Sequence, residues 1–207
     1  MKERGILMSA PMSCALLAGT KTQTRRAVKP QPSAGDIIQR KGTDPGWIVG
    51  QLRDSENAWR EIRCPYGVPG DRLWVREACW IYGQWHEDGK TRTGKCRWRF
   101  KPIGQRVRFD NPGHEQCAHW GKGPGWSHRP SIHMPRWASR ILLEITEVRV
   151  ERLRDISEED ARAEGMSASV ANSPRVWYMA LWSSINGPDS WDANPWVWVV
   201  AFRRIAP

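Results

Sequence analysis

The sequence predicts an α+β domain built around a small mixed β-barrel with flanking helices. Three observations predict it. Strand-like runs stand far apart, near the start, the middle and the end of the chain. Two helices with complete start and stop chemistry separate the last of those strands. Between these ordered regions lie two long stretches punctuated by Gly and Pro. At 207 residues, 40% hydrophobic and 26% charged, the chain suffices for one domain with a substantial core. The expected organisation is a single domain over 1–207. Its core segments are about 1–30, 64–82 and 130–207, with irregular insertions at about 31–63 and 83–129.

Gly5-Ile6-Leu7-Met8 reads as a short strand. Ser9 then caps a helix with Pro11 in its first turn, where a missing N–H costs nothing. Met12, Ala15, Leu16 and Leu17 supply its apolar face and Gly19 its stop. Lys21–Val28 is extended. Gln31–Arg63 mixes Pro, Gly, Ser and charge and reads as a surface excursion. Val68-Pro69-Gly70-Asp71 is a turn that launches a half-buried strand, Arg72–Glu77. Within 83–129 only Arg97–Phe100 and Gln105–Phe109 read as strands. Ile141–Val150 alternates like a strand. Ser157 caps a helix with Glu158, Glu159 and Asp160 in its positive first turn, and Gly165 ends it. A further helix opens at Ser173-Pro174, carries Trp177, Leu181 and Ile185 at four-residue spacing, and stops at Asn186-Gly187-Pro188. Pro195–Phe202 is the closing strand.

The chain carries 32 Lys and Arg against 22 Asp and Glu, a net charge of +10. A field of that sign draws in polyanions, so nucleic acid is the expected partner. No run approaches the ~20 apolar residues of a membrane span, and no basic amphipathic helix stands out. The fourteen Trp are expected to be mostly core, since large rings bury much apolar area; some remain open to stack on bases. The apolar stretch near the N-terminus is broken by Ser9, Pro11 and Ser13 and does not read as a signal peptide. Five scattered Cys with no secretion signal point to reduced thiols in the cytoplasm.

Three segments resemble the ASCH family of the PUA-like superfamily. Gly19-Thr20-Lys21-Thr22-Gln23-Thr24-Arg25-Arg26 resembles its Gly-x-Lys-x-x-Glu/Thr-x-Arg signature. Pro69–Glu77 resembles the strand that follows the family's Pro-Gly-Asp turn. Leu153–Gly165 with Trp196–Ile205 resembles its capped helix and final strand. The match covers roughly half of the chain and is nearest to the ASCH proteins carried by temperate phages and prophages, which would place it in a bacterial host cytoplasm. The resemblance implies a PUA-like barrel with a cleft that binds RNA or a modified nucleobase. It also implies an alternative: an amidohydrolase of the kind that deacetylates N4-acetylcytidine, with Lys21, Thr24 and Glu164 in the catalytic positions.

The residues allow both readings. In the enzyme, Thr24 or a water attacks, Lys21 takes the proton and Glu164 returns one to the leaving nitrogen. A free lysine amine is under ~0.1% neutral at pH 7, so Lys21 would need burial beside Arg25 or Arg26, and a nearby Glu164 would oppose that. In an ideal strand residues 21 and 24 also point to opposite faces. Otherwise Lys21 is a solvated cation or phosphate contact, Thr24 a strand residue and Glu164 a helix-surface carboxylate. Arg25 and Arg26 suit phosphate or carboxylate contacts. The Pro-bounded segment Trp126–Trp137 offers His133, Arg136 and Trp137 as one wall of a base pocket, or else as a surface loop with a plugging Trp. His114–His119 near Cys96 lacks the paired spacing of a zinc site; neither metal nor cofactor is called for. RNA or a nucleotide is the expected ligand, with DNA second.

Overall fold

A computed structural model describes residues 1–42, 46–51, 59–167 and 173–205. It is mixed α+β, with eleven strands and three α-helices among the described residues. The chain divides into two compact units: among the described residues, one comprises 1–4, 11–73 and 141–205, the other 5–10 and 74–140.

The first unit is organised by an open five-stranded sheet. Its strands are β1 (Glu3–Leu7), β2 (Gln23–Ala27), β6 (Arg72–Arg76), β10 (Leu142–Arg152) and β11 (Trp196–Ile205), in the order β1-β6-β10-β11-β2. β1 and β6 each belong in part to both units. No closed barrel is found among the described residues. β11 pairs antiparallel with β10 over its whole length, past a bulge between Ile145 and Glu147, and with β2 in a register that sets Arg26 opposite Trp198 and Arg25 opposite Val199.

Three helices follow local chemistry. In α1 (Ala10–Leu17), Met12 and Leu16 point inward and Gly19 leaves the helix at φ +76°, a conformation that favours glycine. α2 (Glu158–Ala163) is capped by Ser157, whose Oγ accepts from the Asp160 amide at 3.1 Å. α3 (Pro174–Asn186) begins on its proline. Here the inward stripe differs from the expected one. Tyr178 and Trp182 are buried, joining Leu153, Ile156, Ala161, Trp191, Val197 and Val199, whereas Ile185 is exposed. Rotating the helix by one position brings Tyr178 and Trp182 into the cluster, with Trp177 and Leu181 only partly buried against it.

The insertions are more regular than their composition suggests. The first contains β3 (Ile37–Arg40), β4 (Trp47–Gly50) and β5 (Arg60–Ile62), paired antiparallel around β4; its residues 43–45 and 52–58 lie outside the described ones. The second forms most of the other unit: β7 (Cys79–Lys90), β8 (Cys96–Arg108) and β9 (Gly125–Arg129), in the order β8-β7-β9. The two short strands expected at 97–100 and 105–109 are one strand of 13 residues. Gly and Pro did not break it because they fall where the ladder needs irregularity. Gly94 sits in the hairpin turn at φ +79°, while Pro102 borders the register shift opposite Gly83 and Gly104 lies within it, between Pro102 and Val107. This unit's core is Cys79, Ile81, Phe100, Met134 and Ala138.

Of the fourteen Trp, only Trp182, Trp191 and Trp198 are buried, so the indoles are not mostly core. Most are half-buried.

Candidate functional site

Alternation along β2 and its approach decides the site. Lys21, Gln23 and Arg25 face the helices, and Thr24 and Arg26 face the other side of the sheet.

On the helix side, Lys21 Nζ donates to Glu164 Oε2 and to the Glu164 carbonyl, both at 2.8 Å. Arg25 reaches three carboxylates: Glu151 through Nε at 3.0 Å, Asp160 through Nη2 at 2.7 Å and Glu164 through Nη1 at 3.2 Å. Arg149 joins from β10, donating to Glu151 at 3.1 Å and to Asp160 at 2.5 Å. Gln23 donates to the Asp160 carbonyl at 2.9 Å. Three cations therefore face three carboxylates. Lys21, Arg25 and Glu164 are at most 4% exposed. Burial alone would weaken the charge on Arg25, but Glu164 and Glu151 outweigh it and hold the guanidinium more firmly protonated than usual. The same guanidinium lies 5.9 Å from the Tyr178 ring centre. Burial, with Glu164 adding to it, pushes the Tyr178 phenol well above its ordinary value.

The three proposed catalytic side chains thus divide. Lys21 and Glu164 meet, and each is committed to the other. Thr24, buried opposite Val200 on β11, belongs to the other face of the sheet. Of the arginine pair, Arg25 is a carboxylate contact inside the protein, and Arg26 alone faces a cavity.

That cavity is a cleft of about 450 Å³. Arg26, Val28 and Lys29 come from β2 and its exit, Arg63, Pro65 and Tyr66 from the segment after β5, Trp198 from β11 and Asn186 from the end of α3. Three cations line it, with no carboxylate among its described lining residues. Trp198 is buried beneath it and braced edge-on by Trp47, with ring centres 6.3 Å apart. Burial raises the Tyr66 phenol, and the nearby Arg26 charge pulls it back. Arg63 is tied at the surface to Glu61 at 2.7 Å.

Lys29, Arg63, Tyr66 and Trp198 were not foreseen as site residues. Trp198 reads as core from its strand, Arg63 is the last residue of the stretch that reads as an excursion, and Tyr66 lies just beyond it. The pairing of Arg26 with Trp198 that unites them is a matter of register, which composition does not carry.

His133, Arg136 and Trp137 lie in the second unit, on two 3₁₀ turns. His133 and Arg136 are exposed, and the Arg136 guanidinium is 5.9 Å from the Trp74 ring centre. Trp137 packs against the cluster around Met134. Among the described residues, no group of three His, Cys, Asp or Glu is placed to hold a metal ion, including around His114–His119. The five cysteines are free thiols, and no described helix is long and apolar enough to cross a membrane.

Comparison of the chain with family models, with curated proteins and with solved structures finds no match.

Proposed function

We propose that the first unit binds a nucleotide or a single nucleotide of RNA in the cleft between Arg26, Arg63, Tyr66 and Trp198. One observation carries this reading: a cleft within the size range of small-molecule sites is lined, among the described residues, by three cations, two aromatic rings and no carboxylate. The positive charges of Arg26, Lys29 and Arg63 suit a phosphate, and the ring edges and Asn186 amide suit a base. The ASCH resemblance and its PUA-like barrel belong to the same proposal. In it, the motif residues Lys21, Arg25 and Glu164 hold α2 against the sheet, and Arg26 meets the ligand.

The deacetylase alternative has weaker support. A hydrolytic centre needs its nucleophile, base and acid around one vacant point; here Thr24 is on the far face, Lys21 places two of its three N–H donors on Glu164, and the Glu164 carboxylate is shared between Lys21 and Arg25. Calorimetric titration with cytidine and uridine monophosphates tests the binding reading. Binding should weaken about tenfold in Arg26→Ala, as expected for a lost charge-assisted contact. An affinity unchanged by Arg26→Ala, or release of cytidine from N4-acetylcytidine that Lys21→Ala abolishes, would contradict it.

A further inference from the structure

Seven of the fourteen Trp and all five His fall between residues 74 and 140, along with thirteen Lys and Arg against five Asp and Glu. That surplus of eight is most of the chain's net charge of +10. The second unit is therefore both the basic part of the molecule and a concentrated source of aromatic rings.

The sheet arranges those rings. β7, β8 and β9 bury Cys79, Ile81 and Phe100 on one face. On the alternate positions, Trp80 lies opposite His128 and Tyr82 opposite Trp126. Each pair meets edge to face, at 5.1 and 5.3 Å between ring centres. Cations lie against this row: the Arg106 guanidinium is 3.9 Å from the Tyr82 centre, and Arg108 is 5.5 Å from that of Trp126. Beside it opens a cleft of about 530 Å³ lined by Trp80, Trp85, Trp120, Trp126, His119 and His128, among others. Trp120 is 66% exposed. It lies nearly parallel to Trp98, at 6° and 6.5 Å between centres, and perpendicular to Trp85.

A concavity walled by indoles selects one of two ligand chemistries, a quaternary ammonium or a flat ring. The charge decides between them. A surplus of eight positive charges repels an ammonium and attracts an anion. The ligand that joins flat rings to a regularly spaced anion is a single nucleic-acid strand, whose bases stack on the rings while phosphates meet the cations. A duplex keeps its bases stacked on one another and has none to offer.

We infer that the aromatic face and cleft of the second unit bind single-stranded nucleic acid, with Trp120 and Trp126 as stacking residues and Arg106 and Arg108 as phosphate contacts. This site is separate from the nucleotide cleft of the first unit and does not depend on it.

The test uses the full chain and fluorescence anisotropy, with dodecamers of deoxythymidine and of uridine, a duplex of equal length, and phosphatidylserine vesicles. Both single strands should bind more tightly than the duplex, and the affinity should fall severalfold or more between about 50 and about 200 mM salt. Trp120→Ala should weaken single-strand binding about 5- to 100-fold and Trp120→Phe should recover most of it. The ring is largely exposed, so neither change threatens the fold. Arg106→Gln should lower the logarithmic salt slope by about 0.7. Cytidine monophosphate binding in the first-unit cleft should be the same in all three variants, so that each site can fail alone. The inference is overturned if single strands do not bind, if duplex binds equally well, if Trp120→Ala leaves the affinity unchanged, or if only the vesicles bind.

Discussion

Lys21 and Glu164 are 143 residues apart in sequence and bonded twice, the Lys21 amine donating at 2.8 Å to both the side chain and the backbone carbonyl of Glu164. The neighbouring Thr22 amide donates to the Ala163 carbonyl at 2.9 Å. Together these bonds fasten the end of α2 to the approach of β2. Orphan carbonyls at a helix end need such partners when buried. The motif that resembles a catalytic signature therefore acts here as a clasp, and it leaves the half-buried Arg26 on the opposite face, lining the cleft.

Glu164→Gln should destabilise the protein by about 3–5 kcal/mol, because it leaves Arg25 and Lys21 buried with one carboxylate fewer. Glu61→Gln, which breaks a surface pair with Arg63 and Lys41, should leave the unfolding midpoint near that of wild type. Urea unfolding followed by Trp fluorescence measures both. Equal midpoints for the two variants would show that the buried network contributes nothing special.

Stability should fall in acid, and Asp160 should account for part of the fall. Burial works to raise its carboxyl, but hydrogen bonds and charge from Arg25 and Arg149 outweigh burial and hold it below the ordinary range. Asp71 is held down in the same way against its burial, by the Lys2 amide at 2.6 Å and by Arg4 at 2.9 Å. A carboxylate depressed in the folded state contributes stability above its unfolded value of about 3.9, and that stability disappears as pH drops through the lower folded value. The urea midpoint should decline below about pH 4, less steeply in Asp160→Asn. Identical slopes in wild type and Asp160→Asn would remove Asp160 from the account.

Cysteine labelling should separate two thiols sharply. Burial, with Glu77 adding to it, pushes the Cys79 thiol up to about 11, and its side chain has no access to solvent. Cys14 is exposed. At pH 8 a disulfide reagent should modify Cys14 in the native protein and reach Cys79 only after unfolding, since the thiolate is the reacting form. Native-state modification of Cys79 at a comparable rate would contradict the packing of the second unit's core.

The β7–β8 hairpin should not accept a side chain at Gly83. A Cβ there would come within 2.3 Å of the Lys101 carbonyl and 2.6 Å of the Phe100 ring. Gly83→Ala should therefore cost at least the ~1–3 kcal/mol typical of overpacking. Gly123→Ala, where nothing lies within 4 Å, should be close to neutral by the same urea measurement. A neutral Gly83→Ala would mean that the strands are not this close.

Local chemistry was legible in the sequence, and pairing was not. Ser157 with its acidic first turn, Gly19 as a helix stop and the Val68–Asp71 turn act through neighbours a few residues away, so their effect can be read directly. The α+β class follows from them. The inward stripe of α3 was missed by one position because Leu153, Trp191 and Val199, which select Tyr178 and Trp182, come from elsewhere in the chain. β8 was missed as a single strand because its Pro and Gly read as breakers until β7 supplies a shifted partner. Lys21 and Glu164 were foreseen together, but their burial, which makes them a clasp, depends on the packing of α2.

Amide and indole chemical-shift mapping during titration with cytidine monophosphate locates the ligand on the first unit. The account predicts shifts confined to residues 26–29 and 62–66, to Asn186 and to the Trp198 indole N–H, while the amides of 21–25 and 160–165 hold still. Shifts centred on Lys21 and Glu164, or none at saturating nucleotide, would contradict it.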